Sequence, residues 1–162
     1  MTLTAIVPAH NEEHGLPATL ASLQAQTVPP DEIIVVDDAS TDRTGEVARA
    51  HNVTVLRPPR NLGSKAKAQN YALPHITTDL VLAVDADTVL APDYIARLKP
   101  AFDDPEVAIA SGNVQTRFTR TPWDADAPSS TSSASTGTAR SRPGPRAPWS
   151  ARAAARCSAA TS

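Results

Sequence analysis

The amino-acid sequence predicts an α/β protein with a mostly parallel β-sheet flanked by helices. Along residues 1–118, short aliphatic runs alternate with segments whose apolar residues recur at helical spacing. The runs are continuous rather than alternating with polar residues, which is typical of strands buried on both faces of a parallel sheet. Three of the runs end at or near acidic residues, so one rim of the sheet is expected to carry a polar site.

Five strands are predicted from runs rich in valine, isoleucine and leucine, which favour β-structure. The first run stops at Pro8, which has no amide hydrogen to donate. The second run, Glu-Ile-Ile-Val-Val, leads directly into Asp37 and Asp38, so a buried strand delivers two carboxylates to its C-terminal end. The predicted strands are residues 3–7, 32–36, 53–56, 80–84 and 107–110.

Helices are predicted between these strands from apolar spacing and from capping residues. Leu16, Leu20 and Leu23 recur at helical spacing after the first strand. Asp42 and Ser64 each stand where a side chain can cap the first turn of a helix. A fourth helix is predicted to begin near Pro92, since proline is tolerated in a first helical turn.

Residues 119–162 have a different composition, and we predict that this tail is disordered. It contains no Leu, Ile, Val, Met, Phe or Tyr, and 15 of its 44 residues are Ser or Thr. Such a segment buries too little apolar surface to offset the entropy of ordering. All of its residues except Asp124 and Asp126 have codons with G or C at the second position. A shifted reading frame in a GC-rich gene would give this bias, and a natural disordered linker is the alternative.

Charge and composition argue against several classes of protein. Residues 1–118 carry nine Lys or Arg against 15 Asp or Glu, so they lack the clustered cations that a nucleic-acid partner requires. The single cysteine, Cys157, allows no internal disulfide. No apolar run approaches the ~20 residues of a membrane helix, and residues 1–8 lack the features of a signal peptide. We therefore expect a cytoplasmic protein.

Three acidic clusters fall at predicted strand ends, and we expect them to converge on one rim of the sheet. Two carboxylates one residue apart can hold Mg²⁺ or Mn²⁺, which prefer oxygen ligands and can bridge the oxygens of a diphosphate. Neither G-x-G-x-x-G nor G-x-x-x-x-G-K-S/T occurs, which disfavours dinucleotide dehydrogenases and P-loop nucleotidases. The clusters are Asn11-Glu12-Glu13, Asp37-Asp38 and Asp85-Ala86-Asp87.

In these clusters and one further motif the sequence resembles the family 2 glycosyltransferases, over residues 3 to about 118. Residues 110–114 are also similar to the strand after the D-x-D element in the processive branch, which includes the β-linked N-acetylglucosamine polymer, chitin, hyaluronan and cellulose synthases. The motifs, in family order, are Val7-Pro8-Ala9-His10-Asn11-Glu12-Glu13, Val36-Asp37-Asp38-Ala39-Ser40-Thr41-Asp42, Lys67-Ala68-Gln69-Asn70 and Asp85-Ala86-Asp87.

The resemblance implies an incomplete GT-A fold and transfer of a sugar, with inversion, from a UDP-linked donor to a glycan or lipid-linked acceptor. A guanosine-linked donor is the alternative, as in family members of the mannosyl-phosphate type. It places His10 where the family often has an aromatic residue against the base. Lys67, with Lys65 as a substitute, would approach the ribose or diphosphate. The implied cofactor is Mg²⁺ or Mn²⁺. The implied nucleotide-sugar contacts are Pro8, His10, Glu12, Asp38, Lys67 and Asp85, and the implied metal ligands are Asp87 and Asp85.

The same residues also have structural interpretations. His10 could be an ordinary loop histidine, the lysines a solvated helix face, and the aspartates caps at strand ends. Glu13 is interpreted as a solvated residue of a first helical turn and is left out of the site. A non-catalytic nucleotide-sugar-binding module is the alternative to an enzyme. A nucleotidyltransferase is disfavoured because the opening motif offers no glycine-rich turn.

The catalytic residue of the expected enzyme is not assigned. In the family, an Asp in a later Glu-Asp element acts as the general base, followed in processive members by Q-x-x-R-W and membrane helices, and none of these occurs here. Asp124 and Asp126 have no strand or helix predicted around them, so neither is assigned as the base. We therefore expect residues 1–118 to be the nucleotide-sugar-binding part of a catalytic domain and residues 119–162 to be disordered or frameshifted. The intact relative is expected at the inner face of the cell membrane.

Overall fold

The computed structural model describes residues 1–112 and two further strands at residues 137–140 and 153–156. Helices and strands alternate over the first part of the chain. The helices are α1 (Leu16–Gln24), α2 (Thr44–Ala50), α3 (Lys65–Ala72) and α4 (Tyr94–Leu98), with 3₁₀ turns at Leu73–His75 and Lys99–Asp103. The strands are β1 (Leu3–Ala9), β2 (Glu32–Asp37), β3 (Thr54–Leu56), β4 (Leu80–Ala83), β5 (Val107–Ser111), β6 (Gly137–Arg140) and β7 (Ala153–Arg156).

One sheet joins these strands in the order β3-β2-β1-β4-β7-β5-β6. Its first four strands are parallel, with Val7 of β1 opposite Val35 of β2 and Ile6 of β1 opposite Ala83 of β4. Parallel neighbours require crossover connections, and the helices supply them. The predicted mostly parallel sheet flanked by helices is confirmed.

Apolar side chains cover both faces of the parallel part. On one face, Leu16, Leu20 and Leu23 of α1 are fully buried in the main core cluster. On the other, Ala68 and Ala72 of α3 pack in a second cluster with aliphatic residues of β1, β2 and β4. Burial on both faces explains why these strands are continuous aliphatic runs. Within the described residues, no helix has the length and apolarity needed to cross a bilayer.

The ends of the helices agree with the predicted signals at Ser64 and differ at Asp42 and Pro92. Asp42 lies one residue before Arg43, the N-cap of α2, and its carboxylate accepts a hydrogen bond from the Thr44 amide at 2.9 Å. Ser64 is the N-cap of α3, and its hydroxyl accepts from the Lys67 amide. Pro92 precedes the last helix instead of opening it, because α4 begins at Tyr94 and the Pro92 carbonyl accepts from the amide of Thr27 at 2.8 Å.

The tail differs from the sequence prediction at two segments. Residues 119–162 were expected to lack regular structure, but β6 and β7 lie within them and pair antiparallel with β5 and, for β7, also with β4. Strand pairing is made by backbone groups, so it requires no aliphatic side chain from the added strand. The open edge of β4 and the edges of β5 provide the backbone partners. The rest of the tail lies outside the described residues.

Candidate functional site

A cleft of about 290 Å³ opens at the carboxyl ends of β1, β2 and β4. Loops after these strands form one side of the cleft, and the N-terminal end of α3 forms the other. Asp38 and Asp87, predicted from separate motifs, both line the cleft. Its lining residues are Pro8, Ala9, His10, Glu12, Asp38, Asn61, Gly63, Ser64, Lys65, Ala68, Ala86 and Asp87.

The loops after β1 and β2 are tied to each other by side-chain hydrogen bonds. The Thr41 amide donates to the Asn11 side-chain oxygen at 2.8 Å, and the Glu12 amide donates to the Thr44 hydroxyl at 2.8 Å. Asn11 and Ala39 both have left-handed backbone conformations, with φ of 56° and 55°. Alanine rarely adopts this conformation, so the surrounding contacts must hold the loop in place. These ties fix the part of the cleft that carries Glu12 and Asp38.

Glu13 has a structural role that the sequence did not indicate. Its carboxylate accepts hydrogen bonds from both the amide and the Nε of Arg43, at 3.1 and 3.2 Å. These hydrogen bonds, led by the one from the Arg43 amide, hold the pKa of Glu13 below its ordinary value. The Glu13 amide in turn donates to Asp42. Glu13 does not line the cleft, but it joins the two loops that do.

His10 and Asp38 share one polar network at the base of the cleft. The Nδ1 atom of His10 lies 2.8 Å from the Asp38 carbonyl oxygen. A carbonyl can only accept, so this hydrogen bond requires a proton on Nδ1; the Asn61 side-chain nitrogen lies 3.2 Å from the same atom, and Nε2 lies 3.4 Å from the side-chain nitrogen of Asn11. Asn61 also donates to the Asp38 carbonyl, and the Leu62 amide donates to Asp38 Oδ1 at 2.7 Å. The ring of His10 and the carboxylate of Asp38 are therefore held from several sides.

Asp37, the neighbour of Asp38, is directed away from the cleft into an ion pair. It is fully buried, and its Oδ2 accepts from Arg57 Nη1 at 2.6 Å. The other oxygen accepts from the Ser40 amide at 3.0 Å, and Arg57 Nη2 donates to the Ser40 carbonyl at 2.7 Å. A Cβ at Gly45 would lie 2.6 Å from Asp37 Oδ2, so this carboxylate needs the space that glycine leaves. Arg57 was not predicted, because no local pattern marks an arginine 20 residues from its partner.

Lys65, rather than Lys67, lies in the cleft. Lys65 Nζ is 3.2 Å from Asp85 Oδ1, close enough for an ion pair but without the direction of a hydrogen bond. Asp85 Oδ1 is consequently buried with no hydrogen-bond partner in the described part of the chain. Lys67 is exposed on α3 and is not among the lining residues, so its predicted contact with a donor remains a prediction. Asp87 is exposed at the cleft, one residue beyond Ala86.

The described residues contain no cluster of three or more His, Cys, Asp or Glu side chains that could hold a metal ion. The two predicted metal ligands differ in their surroundings: Asp87 lines the cleft, whereas Asp85 is not among the lining residues and pairs with Lys65. Mg²⁺ is commonly bound by one or two carboxylates together with substrate phosphates. The residues therefore fit a metal that is shared with a bound diphosphate. No described residue is assigned as the general base, and Asp124 and Asp126 lie outside the described residues.

Comparison with known proteins places the chain among sugar transferases. The family model described as glycosyl transferase family 2 matches residues 4–156. A hyaluronan synthase of Streptococcus pyogenes is 35% identical over 130 residues, which cover 74% of this chain and 31% of that protein. An N-acetylglucosaminyltransferase of Rhizobium meliloti (strain 1021) is 36% identical over 126 residues, covering 73% of this chain and 29% of that protein. The chain thus spans about a third of the length of these curated relatives.

Solved structures show the same fold. A mannosyltransferase from Pyrobaculum calidifontis, in complex with GDP-Man and Mn²⁺, superposes with a TM-score of 0.66 at 33% identity, over 70% of this chain and 35% of that one. S. aureus TarS 1-349, in complex with UDP-GlcNAc, gives 0.62 at 28% identity, over 75% and 37% of the two chains. The predicted fold class and the predicted resemblance are both confirmed. This chain, with its acidic strand ends gathered in one cleft of a GT-A sheet, belongs to glycosyl transferase family 2.

Proposed function

We propose that the cleft binds the donor of an inverting sugar transfer, a UDP-sugar whose diphosphate is held by Mg²⁺ or Mn²⁺. The observation that carries this proposal is the presence of Asp38, Asp87 and Lys65 in one cleft at the ends of parallel strands. The complexes of similar proteins with UDP-GlcNAc and with GDP-Man and Mn²⁺ support it. The acceptor is proposed to be a glycan or a lipid-linked glycan, in line with relatives named as a hyaluronan synthase and an N-acetylglucosaminyltransferase.

The nucleoside is proposed to lie against His10, Glu12 and Asp38. The His10 ring is fixed by its hydrogen bond to the Asp38 carbonyl, so it can offer a defined face to the base. Asp38 Oδ1 is engaged by the Leu62 amide, and Oδ2 has no hydrogen bond among the described residues. A carboxylate oxygen can accept from the N–H of a uracil ring. Pro8 and Ala9 supply the apolar floor of this part of the cleft.

The diphosphate is proposed to lie between Lys65 and the two aspartates Asp85 and Asp87. Lys65 already pairs with Asp85, and its ammonium is a point charge suited to phosphate. The metal, when bound, would stabilise the charge of the departing nucleoside diphosphate. Asp85 and Asp87 would hold it, and the residues of the cleft would orient the sugar for attack from the opposite face. Lys67 is proposed only as a secondary contact, since it lies outside the lining.

The acceptor side is proposed to come from residues outside the described part. An inverting transfer needs a general base for the acceptor hydroxyl, which typically contributes about 10²–10⁴ in rate. No residue of the cleft is assigned that role, so sugar transfer by this 162-residue chain should be undetectable.

The change of composition after residue 118 motivates the further proposal that residues 119–162 are read in a shifted frame. The intact relative is proposed to act at the inner face of the cell membrane.

The donor site can be tested by calorimetric titration of the full chain with UDP in the presence and absence of Mn²⁺. Binding should depend on the metal, and Asp87→Ala should weaken the metal-dependent part by at least about tenfold, because it removes a hard oxygen ligand. Asp103→Ala is the matched control. Asp103 is an exposed aspartate at the end of a 3₁₀ turn and does not line the cleft.

Three results would contradict the proposal. UDP binding that is independent of Mn²⁺ would remove the role of Asp87. Tighter binding of GDP than of UDP would overturn the choice of nucleoside. Robust sugar transfer by the purified chain would show that the base lies within it.

The origin of the tail can be tested by translating the genomic DNA after codon 118 in all frames. A shifted frame would restore Glu-Asp and Q-x-x-R-W, and a natural linker would not.

A further inference from the structure

A row of polar side chains runs along α1 beside its leucine stripe. Thr19, Ser22 and Gln26 are spaced by three and four residues, so they lie on one side of the helix and its C-terminal extension. Thr19 and Gln26 are buried, at 0% and 5% exposure. Buried polar side chains are costly unless they are hydrogen-bonded, so each is expected to have a partner. We call these three residues the polar row.

Within the part of the chain that the structure describes, the partners of the polar row that are distant in sequence lie in one segment, residues 86–95. Thr19 donates to the Ala86 carbonyl at 2.8 Å, and Ser22 accepts from the Leu90 amide at 3.1 Å. Gln26 donates to the Ala91 carbonyl at 2.6 Å and accepts from the Ile95 amide at 3.0 Å. Residues 86–93 lie between β4 and α4 and have no strand or helix, and Ile95 is in the first turn of α4. The polar row therefore supplies the partners that regular structure would otherwise give its backbone.

The first anchored residue, Ala86, lies between the two aspartates of the proposed donor site. The Thr19 hydroxyl thus binds the carbonyl of Ala86, the residue between Asp85 and Asp87. The approach is close, because a Cβ at Gly15 would stand 3.3 Å from the Ala86 oxygen, from Asp87 Cα and from a carboxylate oxygen of Glu12. The start of α1 therefore contacts both the D-x-D segment and Glu12 of the cleft.

We propose that the polar row is the positioning device of the donor site, and that Thr19 is its principal positioning residue. Thr19 fixes the Ala86 carbonyl, and through it the direction in which Asp87 presents its carboxylate to the cleft. Ser22 and Gln26 anchor the following residues so that the segment cannot move away as a unit. This inference rests on the proposed function in one respect, since it names the donor and its metal as what Asp87 is positioned for.

The test compares Thr19→Val with Thr19→Ser in the full chain. Valine keeps the buried volume and the β-branch but removes the hydroxyl, and serine keeps the hydroxyl. The matched control is Gln24→Ala, which removes a 2.8 Å hydrogen bond from the same helix to the His51 carbonyl, away from the cleft. Hydrogen exchange of residues 86–91 without ligand, the thermal midpoint, and UDP affinity in Mn²⁺ are measured for each variant.

We expect Thr19→Val to speed exchange in residues 86–91 and to weaken UDP binding in Mn²⁺ by about threefold to tenfold, the equivalent of one hydrogen bond. Thr19→Ser should restore most of the affinity, and Gln24→Ala should leave both readouts unchanged. Unchanged exchange in Thr19→Val would overturn the proposal, and so would faster exchange with unchanged affinity. If the parent chain binds no UDP, the proposed function fails. Hydrogen exchange of residues 86–91 and the binding of Mn²⁺ without UDP then decide whether Thr19 anchors the segment.

Discussion

Replacing the Arg57 guanidinium should destabilise the protein far more than the partial exposure of the Arg57 side chain suggests. Asp37 is fully buried, and Arg57 is its cationic partner at 2.6 Å. In Arg57→Met the buried carboxylate keeps, among the described residues, only the hydrogen bond from the Ser40 amide, and the Ser40 carbonyl loses the donor Arg57. The variant thus leaves a buried charge uncompensated, while methionine keeps most of the apolar stem of the arginine.

The magnitude follows from where the pair lies. Breaking a fully buried pair costs about 3–5 kcal/mol, whereas exposed pairs contribute about 0–1 kcal/mol. Asp37 is 0% exposed but the Arg57 side chain is 47% exposed, so solvent screens the arginine side of the pair. We expect a loss of about 2 kcal/mol in the free energy of unfolding, which corresponds to about 4–8 °C in the thermal midpoint of a chain this long.

The chain contains a matched control with the same chemistry on the surface. Arg97 pairs with Asp93 at the same 2.6 Å, but these side chains are 71% and 44% exposed. Arg97→Met should cost no more than about 0.5 kcal/mol. Urea unfolding followed by circular dichroism gives both values. Equal losses of unfolding free energy in Arg57→Met and Arg97→Met would refute the reasoning. Adding Asp37→Asn to Arg57→Met should recover part of the lost free energy, and no recovery would also refute it.

Two further predictions concern the loops that shape the cleft. Gly45→Ala should lower the free energy of unfolding by about 1–3 kcal/mol, as overpacking does, because the added Cβ would stand 2.6 Å from the buried Asp37 carboxylate. Urea unfolding measures this loss, and an unchanged midpoint would mean that the carboxylate can shift freely. The hydrogen bond from the Arg43 amide is the main reason that the pKa of Glu13 is lowered in the folded protein. Ionised Glu13 therefore stabilises the fold above its ordinary pKa of 4.5, and this stabilisation is lost as the pH falls below that value. Glu13→Gln should therefore flatten the decline of the unfolding midpoint on acidification, and parallel pH profiles for the two proteins would contradict this.

The sheet and the stripes that pack on it could be predicted from sequence because they are periodic. The aliphatic runs and the spacing of Leu16, Leu20 and Leu23 depend only on local geometry. The positions of Asp38 and Asp87 were predictable for a similar reason, since the ends of parallel strands meet at one rim. The helices and strands of residues 1–112 could therefore be predicted, and so could the rim of the sheet at which a polar site should lie.

The contacts that shape the site could not be predicted, because each joins residues far apart in sequence. Thr19 and Ala86 are 67 residues apart, and Asp37 and Arg57 are 20 apart. The pair Asp37-Asp38 looks like two equivalent carboxylates in the sequence. Asp37 ends β2 with its side chain buried, whereas Asp38 lines the cleft, so only the fold separates a structural carboxylate from a candidate ligand contact. The two strands in the tail were not predicted because their sequences, Gly-Thr-Ala-Arg and Ala-Ala-Ala-Arg, lack the aliphatic runs that marked the other strands.

The charges of the cleft support the proposal that a metal is bound together with the donor. Glu12, Asp38 and Asp87 contribute three carboxylates to the lining, against the single ammonium of Lys65. That ammonium already lies 3.2 Å from Asp85, so it is partly neutralised. A nucleoside diphosphate would enter this cleft against net repulsion, which a divalent cation between Asp87 and the phosphates would convert into attraction. We therefore expect UDP binding in this cleft to depend on the metal, and metal-independent binding would remove the role proposed for Asp87.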